Sequence, residues 1–321
     1  MPLFDFEAAV TAPFRMQPGL RRLAVGQSHL TPLLPGSPHQ REKLAVLSAY
    51  APKALCSAAD FSAGSAATAL AALCSHAAAE HPGAWIWDGH CARAARSGTA
   101  VTTGGDVEQF ATGVSGLGDE VTRCLLTLPP TWRLAGLLSL TFAEDFALVD
   151  ANSGRVPWLA VCLPSHWAPE DKVGRHFTEI HAPVADNQML LKASDSLLRL
   201  ISGPDRWERF VWNVTDEPRL HAHPDHCARQ RWPGGAIDRA WLRSERQTFI
   251  PFCGERGHHH VWFTIGVDVV ALGDMVAQPG RAAALHAAIA SMSPAVLAYR
   301  GLTTVQGALL AWLERHTAKH G

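Results

Sequence analysis

The sequence lacks the cysteine pairs that build iron–sulfur centres, zinc ribbons and disulfide frameworks. Its seven cysteines are odd in number and scattered, and no two of them stand at a Cys-x-x-Cys spacing. The glycine patterns of dinucleotide-binding turns and of P-loops are also missing. We therefore expect no iron–sulfur, flavin or NADPH site in this chain, and we interpret the cysteines as mostly buried thiols.

Charge is scarce and balanced. Charged residues make up 18% of the 321 residues, and 28 basic against 29 acidic side chains give a formal net charge of −1. That balance removes the overall electrostatic attraction to nucleic acid or to an anionic membrane. The first ten residues, which include Asp5 and Glu7, lack the basic segment and apolar core of an export signal. We expect a cytoplasmic protein that binds neither nucleic acid nor membrane.

One segment has the length and the lack of charge of a membrane span. Residues 61–79 carry no acidic or basic side chain, but their apolar character comes mostly from alanine and is interrupted by serines, Thr68 and His76. Insertion of such a segment would gain little, so we predict an Ala-rich helix outside the membrane. The wider stretch 40–80 is typical of helix, whereas residues 97–118 are rich in Gly, Ser and Thr and predict a loop.

The middle of the chain is typical of antiparallel strands. Residues 136–167 predict a β-hairpin, because two apolar runs flank the polar turn Asp-Ala-Asn-Ser-Gly-Arg. Further strands are predicted at 209–216, 240–252 and 258–272, the last two joined by the turn Cys-Gly-Glu-Arg-Gly. A helical insertion at 168–201 separates the second strand from the third. We expect an α+β fold in which an antiparallel sheet of about five strands carries helices across one face.

The remaining segments extend this core, and hydrophobic residues at 47% of the chain supply enough apolar material for one compact unit. We expect a helical and loop extension at 1–130, a core at 131–272, and C-terminal helices at 273–321 that are broken at Pro294 and Gly301.

One histidine stands out by its position. His181 lies beside Ile180 and just before Pro183, whose ring stiffens the exit of the segment. A histidine in such surroundings is either a hydrogen-bonded core residue or a ligand of a metal or haem, and the spacing alone leaves both interpretations open.

Two histidine-rich stretches offer competing metal ligands. One comprises His221, His223, Asp225, His226 and Cys227, and the other comprises His258, His259 and His260. Neither stretch has the helical frame of a His-Glu-x-x-His site, and alternation along a strand places the middle histidine of the second stretch opposite the other two. We interpret the first stretch as a solvated polar loop.

Charged residues within two predicted strands could line a pocket. Glu144 and Asp145 are neighbours on one strand, so their side chains face opposite sides and do not form an acid/base pair. On the strand at 240–252, alternation groups Arg243, Glu245 and Gln247 on one face and Ser244, Arg246 and Thr248 on the other. A solvated edge strand and a polar pocket both explain this pattern.

Seven stretches of the sequence together resemble the alpha subunit of the haem-dependent oxidative N-demethylases. In chain order they are FRMQPGL (14–20), AEDFALVD (143–150), LPSHWAPEDKVGRHFTEIHAPV (163–184), VWNV (211–214), LRSERQTF (242–249), VWFTI (261–265) and YRGL (299–302). The resemblance is dense between about 140 and 265 and weak between 30 and 130.

The resemblance implies a PAS-like domain that binds haem b. The proximal ligand of the family then corresponds to His181, in the Ile-His-x-Pro-Val motif, and Lys172 and Arg175 are candidates to pair with the haem propionates. A polar group on the distal side must hold the substrate and steady bound oxygen. The candidates for this role are Glu144, Asp145, Asn213, Arg243, Glu245 and Arg246.

The family reaction removes a methyl group from a small amine with O2 and releases formaldehyde. Because this chain has no cysteine cluster and no nucleotide-binding pattern, we expect electrons to come from a separate reductase. Two alternatives remain open: a haem-based sensor or binding protein without turnover, and a non-haem metal protein that uses the histidine-rich stretches.

Overall fold

The computed structural model describes residues 4–228, 230–254 and 257–320. Its strands are β1 (Arg21–Arg22), β2 (Leu55–Ser57), β3 (Trp85–Trp87), β4 (Cys91–Ala94), β5 (Thr99–Thr102), β6 (Val107–Gln109), β7 (Glu144–Asp150), β8 (Trp158–Ala160), β9 (Trp207–Thr215), β10 (Trp241–Cys253) and β11 (His259–Ala271). Its helices are α1 (Phe6–Ala9), α2 (Pro38–Ala49), α3 (Ala51–Ala54), α4 (Ala63–Glu80), α5 (Glu120–Thr127), α6 (Pro130–Thr141), α7 (Phe177–His181), α8 (Gln188–Lys192), α9 (Ser194–Ile201), α10 (Leu272–Met275), α11 (Arg281–Ala290), α12 (Pro294–Tyr299) and α13 (Gln306–His320). The fold is mixed α and β.

A seven-stranded antiparallel sheet forms the centre of the fold, in the order β1-β9-β10-β11-β7-β8-β2. The predicted hairpin is confirmed as β7 and β8, and the three later strand predictions are confirmed as β9, β10 and β11. The predicted number of about five strands is too low. The two extra strands, β1 and β2, have only two and three residues, which is too short to produce a periodic pattern in the sequence. The turn predicted at 253–257 includes Glu255 and Arg256, which lie outside the described residues.

A second sheet, of four strands in the order β3-β4-β5-β6, lies where the sequence predicted a break and a loop. The loop prediction for 97–118 is wrong for its first half, because Thr99–Thr102 and Val107–Gln109 pair as a hairpin. Gly105, with φ of +88°, lies in the turn between them, where a residue with a Cβ would be strained. The overlooked signal was a β-branched run followed by two adjacent glycines.

The predicted helices agree more closely with the structure than the predicted loop does. Residues 40–80 contain α2, α3 and α4, interrupted by the short strand β2. The Ala-rich segment is α4, and no described helix is long and apolar enough to cross a membrane. The tail forms α11, α12 and α13 with the predicted interruptions.

Three groups of buried side chains hold these elements together. Helices α2, α4, α5 and α6 pack on β7, β8 and β11 around Phe142, Phe146 and Trp262. Helix α1 and the C-terminal helices cover β9 and β10 through Trp212 and Leu242. The third group joins the predicted helical insertion to the sheet and contains Ala147, Val149, Leu159, Leu198, Ile201, Phe249 and Val261. The insertion therefore covers one face of the sheet, as the sequence predicted.

Candidate functional site

The short helix α7 carries His181 as its last residue, and its start is fixed by a capping box. The His176 Nδ1 atom accepts a hydrogen bond from the backbone N–H of Thr178 at 3.2 Å, and a Glu179 carboxylate oxygen accepts one from the His176 N–H at 2.7 Å. Caps of this kind satisfy donors that a five-residue helix could not otherwise pair. The cap therefore defines where α7 begins and so where His181 lies.

The turn between β7 and β8 holds the same helix from the other side. The Phe177 N–H donates to the carbonyl of Gly154 at 2.8 Å, and the Val156 N–H donates to the carbonyl of Arg175 at 3.0 Å. Gly154 has φ of +69°, and a Cβ at this position would collide with the ring of His176. The predicted hairpin turn thus positions the helix that bears His181.

His181 is held in a form that can bind a metal. Its Nδ1 atom lies 2.8 Å from the carbonyl of Phe177, and that contact requires Nδ1 to carry the proton if the ring is neutral. Burial lowers the pKa of His181 to about 4, and the nearby cations Arg209 and Lys172 reinforce the effect against the opposing hydrogen bond to Phe177. The ring is therefore neutral at pH 7, and its Nε2 lone pair is available.

Polar side chains line the sheet face near this histidine. In the strand register, Arg209 lies opposite Gln247 and Asn213 lies opposite Arg243, with Glu245 between the two pairs on the same face. Gln247 Nε2 donates to a Glu245 carboxylate oxygen at 2.6 Å. Burial lowers the pKa of Arg209, and the Glu245 carboxylate opposes that shift. A partly buried cation and a carboxylate thus lie close together on this face.

Three polar atoms on this face are buried but have no hydrogen-bond partner among the described residues. They are Trp207 Nε1, Arg209 Nε and Asn213 Oδ1, and alternation along β9 places all three side chains on one side. Buried polar atoms in folded proteins are nearly always paired. A polar ligand between α7 and the sheet would supply the missing partners.

The pattern of one protein family, described as haem-dependent oxidative N-demethylase, alpha subunit-like, matches residues 115–310. That span is more than half of the chain and includes His181, Arg209 and Glu245. The chain belongs to this family. The four-stranded sheet and helices α1 to α4 lie outside the matched span.

The residues around His181 fit the haem that the family description specifies. A neutral imidazole whose Nδ1–H donates to a backbone carbonyl is the usual arrangement of a histidine that ligates iron through Nε2. The unpaired Arg209 Nε adds a cationic donor that suits an anionic group of a cofactor or an oxygen atom of a substrate. Cofactor and substrate binding at this face is therefore chemically reasonable.

The two residues predicted to meet propionates lie on the connection into α7. The Lys172 ammonium lies 3.5 Å from the carbonyl of Ile180, and burial, with a contribution from Arg175, lowers the pKa of Lys172. Arg175 is exposed. Both residues lie within a few residues of the capping box, but only Lys172 is partly buried near His181.

Two of the distal candidates hold loops or helices in place. Arg243 is 3% exposed, and its guanidinium donates to Ser165 Oγ at 2.7 Å and to the carbonyls of Leu163, Pro164, Arg219 and Leu220. Asn213 Nδ2 donates to the carbonyl of Arg300 at 3.1 Å, which leaves its Oδ1 atom for a ligand. Arg243 therefore shapes the loops beside the site.

Three further candidates, Arg246, Asp145 and Glu144, are either on the opposite face of the sheet from Arg209 or held by other partners. Arg246 is on the opposite face, as alternation predicted, and its Nε lies 2.8 Å from Glu208. Asp145 shares the face of Arg209 but lies three strands away, in the row Arg209, Gln247, Ile265 and Asp145, and it forms a buried ion pair with Lys43 at 3.1 Å. Glu144 accepts the backbone N–H of Thr31 at 2.9 Å, and burial raises its pKa. Of the six distal candidates, Glu245 is the one that the register places nearest to Arg209, while Asn213 and Arg243 lie farther along the same face.

Arg209 was not among the residues predicted from the sequence. The available signal was an arginine at an alternating position within the otherwise apolar strand Trp-Glu-Arg-Phe-Val-Trp. Glu208, on the other side of the same strand, is paired with Arg21 and Arg246, so only the burial of each face distinguishes the two charges. That information comes from the tertiary structure.

The first histidine-rich stretch is not the solvated loop that the sequence predicted. His221 and His223 are 8% and 1% exposed. His221 Nδ1 lies 2.6 Å from the carbonyl of Cys162, its Nε2 lies 2.8 Å from His226 Nδ1, and His223 Nε2 lies 3.1 Å from Glu170. The loop folds inward because these rings pack against each other and find hydrogen-bond partners. In the second stretch, His258 and His259 are exposed.

Proposed function

We propose that this protein catalyses the oxidative N-demethylation of a small methylated amine, with haem b bound between α7 and the sheet. The observation that supports this best is the state of His181: neutral, hydrogen-bonded at Nδ1, with Nε2 available, beside a sheet face that has unpaired buried polar atoms. Removal of one methyl group as formaldehyde takes O2, two electrons and two protons, and yields water and the demethylated amine. When bound, haem supplies the iron centre that binds and activates O2.

The PAS-like part of the proposal concerns residues 131–272. Its five strands lie in the spatial order second, first, fifth, fourth, third, and the helical insertion between the second and third strands covers one face. Both observations support a haem-binding core in which His181 approaches from the helical side.

Glu245 is the residue that we propose to hold the amine. Small methylated amines are cations at pH 7, and a carboxylate is the side chain that attracts them. One Glu245 oxygen accepts from Gln247 at 2.6 Å, so the carboxylate is oriented while its other oxygen can accept an N–H from the substrate. Arg209 balances negative charge on this face and would supply a hydrogen-bond donor to an oxygen atom of a bound ligand. The pair therefore positions the substrate and balances its charge.

In this proposal, electrons come from another protein. The chain has no cysteine cluster and no nucleotide-binding glycine pattern, and its family is described as an alpha subunit. We propose a reductase, within the same assembly, that supplies two electrons for each methyl group removed.

Absorption spectroscopy with ligand rescue tests the haem proposal. Wild-type protein reconstituted with haem should show a Soret band that is lost or shifted in His181→Gly, and added imidazole should restore the wild-type spectrum by filling the space left by the side chain. His286→Ala is the matched control, because His286 pairs with the exposed Glu314 on the surface of the C-terminal helices. A Soret band unchanged in His181→Gly would refute this histidine as the ligand.

Formaldehyde release tests the reaction. Haem-loaded protein supplied with O2, a chemical or enzymatic reductant and a panel of mono-, di- and trimethylated amines should release formaldehyde with one of them. Glu245→Gln should raise KM for the amine while leaving the Soret band in place, since it removes the charge but keeps the shape of the side chain. Haem binding without formaldehyde from any amine would favour a sensor or a haem-binding protein instead.

A further inference from the structure

The N-terminal half contains a cluster of two histidines and a carboxylate that neither the family match nor the proposed reaction uses. His76 and Glu80 are four residues apart on α4 and so lie on one side of the helix, and His29 approaches them from the preceding segment. His29 is 3% exposed, and the side chains of His76 and Glu80 are 24% and 13% exposed. All three lie outside residues 115–310, the span of the family match.

The three ligand atoms are unusually close to one another. His29 Nδ1 lies 2.8 Å from Glu80 Oε1, His76 Nε2 lies 3.1 Å from His29 Nδ1, and His76 Nε2 lies 3.3 Å from Glu80 Oε1. Zinc bonds to nitrogen and carboxylate oxygen are about 2.0–2.2 Å long, and ligands at a tetrahedral zinc lie about 3.3 Å apart. A single cation can therefore reach all three atoms with little movement of the side chains.

Hydrogen bonding alone does not satisfy this triangle. The carboxylate oxygen is only an acceptor, so good contacts to it require a proton on each of the two imidazole nitrogens. Those two N–H groups would then converge on one carboxylate oxygen with their nitrogens only 3.1 Å apart. If either proton is absent, that nitrogen directs its lone pair at the carboxylate. In every arrangement of protons, one edge of the triangle brings together two donors or two acceptors.

We propose that His29 Nδ1, His76 Nε2 and Glu80 Oε1 bind a zinc-class divalent cation. Two imidazoles and one carboxylate form a recognised ligand set for such ions, and three protein ligands leave a fourth position for water. With the cation bound, the two nitrogens and the carboxylate oxygen each direct a lone pair at one positive charge, and the unfavourable contact is removed. The cation would clamp residues 27–31 to α4. This inference does not depend on haem or on the proposed demethylation.

Arg206 is the internal competitor for this site. Its Nη2 lies 3.2 Å from Glu80 Oε1 and 3.3 Å from His29 Nδ1, and its Nε lies 3.5 Å from His29 Nε2. A metal on Nδ1 moves the ring proton to Nε2, where it would face the Nε–H of Arg206. The Arg206 side chain is 40% exposed, so it can rotate into solvent when the cation binds.

A second cluster, Glu170, His223 and Asp225, also has a cation beside it, but hydrogen bonds and ion pairs can satisfy all of its contacts. The Lys53 ammonium already lies between its carboxylates, 3.0 Å from Glu170 and in contact with Asp225. His223 Nδ1 accepts the backbone N–H of Asp225 at 3.2 Å, which leaves an Nε2–H to donate to Glu170. Every contact can thus be an ordinary hydrogen bond or ion pair. We therefore assign the cation to the cluster on α4.

Zinc titration of chelator-treated, haem-free protein tests the assignment. We expect one Zn²⁺ per chain in competition with a chromophoric chelator. His76→Ala should weaken binding by at least tenfold, while His223→Ala and the exposed-site control His90→Ala should leave it unchanged. Circular dichroism before titration confirms that each variant is folded. Loss of binding in His223→Ala but not in His76→Ala, or no Zn²⁺ bound by the folded wild type, would overturn the proposal.

The Zn²⁺ affinity of Arg206→Met distinguishes a metal site from a cluster with a purely structural role. Removal of the guanidinium should tighten Zn²⁺ binding by about tenfold or more, because the cation no longer has to displace a positive charge. Co²⁺ in place of Zn²⁺ should give the visible absorption of a four-coordinate site, and that absorption should be absent in His76→Ala. Unchanged or weaker Zn²⁺ binding in Arg206→Met would refute the competition and, with it, the proposed ligand geometry.

Discussion

The buried ion pair between Lys43 on α2 and Asp145 on β7 gives a quantitative test of the fold. Both side chains are 0% exposed, and Lys43 Nζ lies 3.1 Å from Asp145 Oδ1. Lys43 Nζ also donates to the carbonyls of Phe142 at 3.1 Å and Glu144 at 2.7 Å, while Asp145 Oδ2 accepts the Leu163 N–H at 2.6 Å. The pair thus joins the helical layer, the sheet and the loop after β8.

The two single substitutions should differ in cost. Asp145→Asn keeps an acceptor for Leu163 and leaves Lys43 with two carbonyl partners, so we expect a loss of about 3 kcal/mol. Lys43→Met leaves a buried carboxylate without its cation and also removes two hydrogen bonds, so we expect about 5 kcal/mol. The double variant should be more stable than the sum of the single effects predicts, by about 1–3 kcal/mol, because neither unpaired charge remains.

Urea unfolding followed by far-ultraviolet circular dichroism measures these differences on haem-free protein. Asp60→Asn is the matched control, because Asp60 is exposed and its substitution should change the free energy of unfolding by less than about 0.5 kcal/mol. If Asp145→Asn costs more than Lys43→Met, or if both cost no more than the control, the reasoning from a desolvated pair is refuted.

Three further substitutions test other parts of the structure. Gly154→Ala should weaken haem retention and lower the thermal midpoint, because a Cβ at this position displaces the ring of His176 that caps α7. Haem retention is measured by transfer of haem from the native protein to apomyoglobin. Arg246→Met should cost roughly 3 kcal/mol in urea unfolding through its pair with Glu208, and a shifted Soret band would contradict its position on the face away from His181. Burial raises the pKa of Glu144, so above about pH 4.3 the folded protein holds a proton that the unfolded chain has released. The stability of Glu144→Gln relative to wild type should therefore increase with pH, by up to ~1.4 kcal/mol per pH unit. Parallel stability curves from pH 4 to pH 7 would rule this out.

Local patterns predicted much of the sheet. The hairpin β7–β8 has its turn residues between two apolar runs, and β10 places Arg243 and Arg246 on opposite faces by alternation alone. The same reasoning missed β1 and β2, because strands of two and three residues are defined by their partners and not by any pattern of their own. Short edge strands are therefore visible only in the folded chain.

The candidate site was predictable to the extent that its residues carry a motif. His181 was predicted as a site residue through the Ile-His-x-Pro-Val motif, and Glu245 through the Arg-x-Glu-Arg-Gln motif. Arg209 was missed because Glu208 and Arg209 are adjacent charges, and the sequence does not show which of them faces α7. Burial of His221 and His223 was missed for a related reason: their partners Cys162 and Glu170 lie more than 50 residues earlier in the chain.

The two histidine sites differ in what holds them, and this difference makes them separable by experiment. His181 is positioned by contacts with Phe177, Gly154 and their neighbours, all within one stretch of about thirty residues. The cluster of His29, His76 and Glu80 depends on contacts across about fifty residues. Gly154→Ala should therefore disturb haem binding and leave Zn²⁺ affinity unchanged, whereas His76→Ala should do the reverse. Loss of both ligands in either variant would show that the sites are coupled through the sheet and not independent.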